Sequence, residues 1–292
     1  MDRAAAGTGA TGCPPLRDRG ALRRRCIPAA LHWFIGSHAA LPRMDDSFIF
    51  TIFEGLPRQG PGSNDCTRKA FSMLADIPPQ PEILDIGCGS GMQTVELARI
   101  SPGCRITAVD IHQPYLDGLA RRAASAGVEE RITTLRASMD SLPFPDASFD
   151  VLWAEGSIFV VGFAEGLASW RRLLSPGGYL CLTEAVWFTA SPSPEAAAFW
   201  NECYPAIKTV PENRAVIEGA GYEVVATFPL PASAWWDDYY TPLDKQLDGL
   251  RTATAGDPDA EAQIEFAERE IAVYRKHAGE YGYEFFVLRK NR

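Results

Sequence analysis

The stretch Ile83–Gly91, ILDIGCGSG, runs an apolar segment straight into three glycines spaced two apart. A carboxylate, Asp85, stands two residues before the first of them. Glycine lets a backbone turn sharply and approach a ligand with no Cβ in the way. If Glu82–Ile86 is a strand and Met92–Ile100 a helix, the glycines form the turn between them, and the helix N-terminus offers free amides to a negative group.

The pattern on either side supports that reading. Residues 105–110 (RITAVD), 131–137 (RITTLRA), 149–155 (FDVLWAE) and 179–185 (YLCLTEA) read as strands. Residues 92–100, 115–127 and 163–174 read as helices, the second stopping at Gly127, with SPGG (175–178) as a turn before the fifth strand. Alternating strands and helices predict an α/β fold with a mostly parallel, doubly wound sheet. After residue 186 the rhythm loosens. A helix is expected over 191–205, a strand over 222–230, a helix over 259–278 and a closing strand over 283–290. This gives one domain over 44–292, with a ligand-binding core at about 80–185.

In such a sheet, ligands bind beyond the carboxyl ends of the strands. A dinucleotide turn has the spacing GxGxxG, whereas here it is GxGxG and position 92 is Met. A carboxylate at Asp85 would repel a pyrophosphate but suits an ammonium group. The second strand ends at Asp110, where a carboxylate can accept both hydroxyls of a ribose. The third leads into ASMDSLPFPDASFD, placing Asp140 to accept from the exocyclic amine of adenine and Met139 to pack on its ring. Ammonium, ribose and adenine together describe S-adenosylmethionine.

With these residues in order, the chain resembles a class I S-adenosylmethionine-dependent methyltransferase. ILDIGCGSG, AVDIH, ASMDSLPFPDASFD, VLWAEGS and LLSPGGYLCLTE carry the resemblance over about residues 80–185. It implies a Rossmann-like sheet of seven strands, the last antiparallel, and cofactor contacts from Asp85, Gly87, Cys88, Gly89, Gly91, Asp110, Ile111, Met139 and Asp140. The opening segment 44–74 resembles the N-terminal lid segment of a bacterial and archaeal subgroup of small-molecule methyltransferases. Within it, RQGPGS (58–63) has two readings. Arg58 or Ser63 approaches the methionine carboxylate, or Ser63 or Asn64 simply caps the next helix.

Glu155 and Glu184 end the fourth and fifth strands, and either could orient or deprotonate a nucleophile or merely bond to loops. Trp187, Trp236, Tyr239 and Tyr240 are the candidate pocket wall, the last three within WWDDYY (235–240), read as a loop. Aromatic faces there would also attract a cation. His112 and His277 read as surface residues.

Composition narrows the function classes. Apolar residues are 46% and charged residues 22% of the 292, ordinary for a globular protein, and no run is long enough to span a membrane. The net charge is −9, with a split: residues 1–43 carry seven Arg against Asp2 and Asp18, the rest 21 basic and 35 acidic residues. An acidic body disfavours nucleic acid as partner, and no NPPY-type motif for base or glutamine targets occurs. The seven cysteines form no CxxC and read as reduced thiols in the cytoplasm, with no metal-ligand spacing. Residues 1–43 lack periodicity and read as a disordered tail or an extension upstream of a true start at Met44, with weaker likeness to a signal or transit peptide.

The expectation is therefore methyl transfer from S-adenosylmethionine to an N, O or C atom of a small molecule, by a monomer or homodimer. The competing readings are a protein that binds the nucleoside without transferring methyl, and a nicotinamide-dependent oxidoreductase. The GxGxG spacing speaks against the latter.

Overall fold

The computed structural model describes residues 46–291, and the reading of residues 1–43 lies outside them. The elements expected around the glycines are all present. Strands β1 (Glu82–Ile86), β2 (Arg105–Asp110), β3 (Ile132–Arg136), β4 (Phe149–Ala154) and β5 (Leu174–Trp187) run parallel. The two-residue β6 (Lys208–Thr209) pairs only with β5. β7 (Tyr222–Pro229) and β8 (Tyr281–Lys290) complete the order β3-β2-β1-β4-β5-β8-β7, with β8 antiparallel to both neighbours.

Helices α1 (Asp46–Phe53) and α2 (Asn64–Phe71) precede the sheet, and α3 (Met92–Ile100), α4 (Gln113–Ala126) and α5 (Phe163–Trp170) link its strands. Then come α6 (Pro194–Cys203), α7 (Val210–Gly219), α8 (Thr241–Ala253) and α9 (Pro258–His277). Neither α7 nor α8 is among the helices expected from sequence. Pro211 and the Thr209/Glu212 capping box start the former.

Both faces of the sheet are covered, so its central strands are apolar throughout rather than alternating. In β4, Val151 and Trp153 join the larger core, which also takes in α2, α3, α4, α6, α8 and α9. Leu152 and Ala154 face the smaller core with α5 and α7.

Two local expectations are corrected. SPGG is not a turn ahead of β5 but part of it: Phe149 pairs with Leu174 and Val151 with Tyr179, so residues 175–178 bulge from the ladder. WWDDYY is not a loop. A helical turn, Ala232–Trp235, passes into a π-helical turn, Trp236–Tyr240, and on into α8. Burial of Trp235, Tyr239 and Tyr240 drives this, because a helix satisfies its own backbone while three rings leave water.

Candidate functional site: two joined cavities at the strand ends

The strand order reverses between β1 and β4, and the carboxyl ends of β1 to β4 open there into one cavity of about 480 Å3. Each strand lines it with the residues just past its tip: Gly87, Cys88 and Gly89 after β1, Asp110 and Ile111 at the end of β2, Ala137 to Met139 after β3, Glu155 to Ser157 after β4. Gln93 of α3 and Arg58 to Pro61 close the remaining sides.

The glycines do different jobs. All three have positive φ. A Cβ on Gly87 would lie 2.5 Å from the Ser157 side chain, and one on Gly89 would lie 2.4 Å from Gln59 Oε1. Gly87 thus lets Ser157 pack against the turn, and Gly89 lets Gln59 of the segment from Arg58 approach it. Gly91 is not in the cavity wall. It caps α3, and its Cβ would strike Leu119 of α4 at 2.1 Å, so its smallness serves helix packing.

Asp110 lines the cavity and pins the turn, its two oxygens accepting from the Gly89 and His112 amides at 2.9 Å each. Burial raises its pKa and those amide bonds oppose the shift. Asp85 lies beneath the turn rather than in the wall. It is fully buried and accepts from the Thr94 hydroxyl at 2.6 Å through Oδ2, while Oδ1 has no partner of good geometry. Burial pushes its pKa up to about 7, against the bond from Thr94.

Arg58 is buried, donating to Glu155 Oε2 at 2.9 Å and to Asn64 Oδ1 at 2.9 Å, while its Nε lacks a partner. Glu155 Oε1 also accepts from Thr67 at 2.6 Å and from Trp153 Nε1 at 2.9 Å. With three donors on it, Glu155 anchors the segment from Arg58 to β4 and is badly placed to take a substrate proton.

Other expected residues fall elsewhere. Ser63 caps α2 by accepting from the Cys66 amide, so at this residue the capping alternative holds, while Arg58 faces the cavity. Asp140 is exposed on the turn past Met139 and is outside the cavity wall. Glu184 does not reach the mouth. It shares the β5 face of Leu180, Leu182 and Val186, opposite Glu284 of β8, and burial pushes its pKa up to about 8. His112 and His277 are not surface residues. His112 stacks on Phe50 and meets Glu54, and His277 is enclosed by Ser193, Glu195 and Glu280.

A second cavity, about 180 Å3, adjoins the first. Ile49, Phe50, Gln59, Gly60, Pro61, Tyr115 and Gly156 line both. Its far wall is aromatic: Phe159, Trp200, Trp235, Tyr239, Tyr240, Tyr281 and Tyr283, with Glu270 among them. Tyr239 and Tyr240 are in the wall, as their sequence position implied. Trp187 and Trp236 are not, the first packing behind it on Trp200 and Tyr281, the second lying under the Arg275 guanidinium. Sequence reasoning missed Glu270, Tyr281 and Tyr283. The two tyrosines share one signal, YGY at the start of β8, which reads locally only as strand.

The chemistry of the first cavity fits a sulfonium nucleoside carrying an amino acid end. Asp110 sets a carboxylate at the tip of β2, Met139 and Ile111 offer apolar surface beside it, and Arg58, whose Nε lacks a partner, brings a cation to the wall for a carboxylate. Comparison with known proteins agrees. Residues 83–178 match the family model "Methyltransferase domain". The chain is a class I S-adenosylmethionine-dependent methyltransferase. It is similar to 27-O-demethylrifamycin SV methyltransferase of Amycolatopsis mediterranei (strain S699), 28% identical over 73% of this chain and 78% of that protein. Dimethylglycine N-methyltransferase of Parasynechococcus marenigrum (strain WH8102) is 36% identical, but over 42% of this chain and only 44% of that protein. In structure, the methyltransferase resembles an S-adenosylmethionine-dependent methyltransferase from Geobacter sulfurreducens in complex with S-adenosyl-L-homocysteine, with TM-score 0.72, 23% identity and coverage of 85% of this chain and 100% of the other. Its own cofactor is S-adenosylmethionine. No helix among the described residues is long and apolar enough to cross a membrane.

Proposed function

We propose that this methyltransferase acts on a small molecule that enters the aromatic cavity and meets the methyl donor across the shared wall. The observation that carries this reading is the join itself: one cavity suits the donor, and the next has room for little more than a single-ring compound, since a cavity of about 150 Å3 holds benzene. By their names, the relatives above act on 27-O-demethylrifamycin SV and on dimethylglycine, which are small-molecule acceptors rather than macromolecules, though the two differ widely in size.

In this reading Asp110 takes the ribose hydroxyls, Met139 and Ile111 flank the base, Arg58 takes the carboxylate of the amino acid end, and Asp85 supports the turn from beneath. When bound, S-adenosylmethionine supplies an electrophilic methyl group on a positively charged sulfur. The chain's own part is alignment and exclusion of water. The segment Arg58–Pro61 is fixed at both ends of the boundary, Gln59 Oε1 accepting from the Ser90 amide at 2.7 Å and the Gly62 amide donating to Ala234 O at 2.9 Å. Held there, it roofs the passage between donor and acceptor. Apolar and aromatic walls do not oppose loss of charge from sulfur.

The test is incubation with isotopically labelled methyl donor and a metabolite extract, read by mass spectrometry. Label should appear in low-molecular-mass compounds. Label in protein or nucleic acid only would overturn the reading.

A further inference from the structure

Glu270 stands out among the groups of the acceptor cavity. It comes from α9, is 5% exposed, and lines the cavity among tyrosines. Tyr240 donates to its Oε1 at 2.9 Å, and Tyr239 approaches the same oxygen at 3.5 Å. The ionisable groups around it are Tyr239, Tyr240, Tyr281, Tyr283 and the Cys203 thiol, and none of these is a cation. No salt bridge reaches it among the described residues. A carboxylate out of water normally needs a paired charge or loses its own. A protein that wanted only packing here would do better with an apolar side chain.

Taking the acceptor-cavity reading above as its basis, we propose that the methyl acceptor is a small amine, its ammonium held against Glu270 among the surrounding aromatic rings. Three independent features converge on that chemistry. The carboxylate lacks a partner of opposite charge. The rings around it are electron-rich, a setting that favours a cation. The cavity opens toward the donor site through walls common to both. Two tyrosine hydroxyls orient the acid, so the ligand meets a fixed oxygen rather than a mobile one. Glu270 can also take the ammonium proton: the N–H bond breaks, its electron pair stays on nitrogen, and the acid becomes neutral. That leaves the amine with the lone pair that methylation needs. A neutral alcohol would leave the buried carboxylate unpaired and gain nothing from the rings beyond packing.

The test uses the full chain saturated with S-adenosylhomocysteine, with calorimetric titration of benzylamine and N,N-dimethylbenzylamine against benzyl alcohol at pH 7.5. The amines should bind at least about tenfold more tightly than the alcohol, the separation that one well-made charged contact produces. In Glu270→Gln that preference should collapse to within about twofold, with the alcohol unchanged. Should Glu270→Gln fail to fold, Tyr240→Phe removes the donor that orients the acid and should weaken amine binding several-fold while sparing the alcohol. Amines that bind no better than the alcohol, or not at all, in protein that takes up S-adenosylhomocysteine overturn the amine assignment alone. Failure to take up S-adenosylhomocysteine overturns the donor-site reading beneath it.

Discussion

Breaking the contact between Arg58 and Glu155 should separate an anchoring role for Glu155 from a catalytic one. The two side chains are 4% and 3% exposed and 2.9 Å apart. Glu155→Gln keeps the shape and can still accept from Thr67 or Trp153, but it leaves the guanidinium buried with Asn64 as its remaining partner. Loss of one member of a buried pair costs about 3–5 kcal/mol, chiefly through the charge left behind. At roughly 2–4 °C per kcal/mol for a protein of this size, the melting temperature of the cofactor-free protein should fall by about 6–20 °C. Affinity for S-adenosylhomocysteine should fall too, because Arg58 lines the donor cavity and its segment roofs it. Replacing both, Arg58→Met with Glu155→Met, removes the two charges together and should cost far less stability than the sum of the single changes. Calorimetry of the parent, Arg58→Met, Glu155→Met and the double variant gives the coupling directly. If Glu155→Gln melts within about 1 kcal/mol of the parent while methyl transfer is lost, the anchor argument is wrong and Glu155 is a base after all.

Three further outcomes rest on the same geometry. Gly91→Ala places a Cβ 2.1 Å from Leu119 at φ +79, so it should destabilise by about 2–4 kcal/mol from strain and overpacking. Leu119→Ala, although itself destabilising, should relieve part of that in the double variant, and strict additivity in denaturant melts would contradict the packing role given to Gly91. Asp110→Asn turns one amide-accepting oxygen into a donor facing the Gly89 or His112 amide, so calorimetry should show S-adenosylhomocysteine affinity at least about tenfold lower, and unchanged affinity would remove Asp110 from the site. The third concerns pH. Burial pushes Asp85 and Glu270 up to about 7 and Glu184 up to about 8, from ordinary values of 3.8, 4.5 and 4.5. The folded state therefore favours their protonated forms, a contribution complete below about pH 4 and lost as pH rises through 7 to 8. Each site is worth a few kcal/mol, roughly, so the melting temperature of the cofactor-free protein should decline from about pH 5.5 to 8, and a rise over that window would refute the three shifts together.

Much of this molecule was readable from local sequence. The strand–turn–helix at Ile83–Gly91, the strands after it and the acids at their tips all depend on short-range rules: backbone freedom at glycine, apolar runs for strands buried on both faces, and ligand binding beyond strand ends. These rules act within a few residues, so one chain written in order is enough. Cys88, Ile111 and Met139 line the larger cavity because they sit next to the turns that build it.

What tertiary structure alone decided is which face and which neighbour each residue meets. Gly91 and Gly87 look alike in sequence, yet one packs against Leu119 of α4 and the other against Ser157 in the cavity wall. Glu155 and Glu184 both sit near strand ends, but one lies beside Arg58 and the other on the β5 face opposite Glu284. The acceptor cavity brings together Phe50, Gly156, Trp235, Glu270 and Tyr283, more than 200 residues apart at the extremes. No local period encodes such a meeting. It arises because α1, the helical run from Ala232, α9 and β8 must all bury apolar surface over the same end of the sheet, and the acid on α9 is carried in among the rings with them.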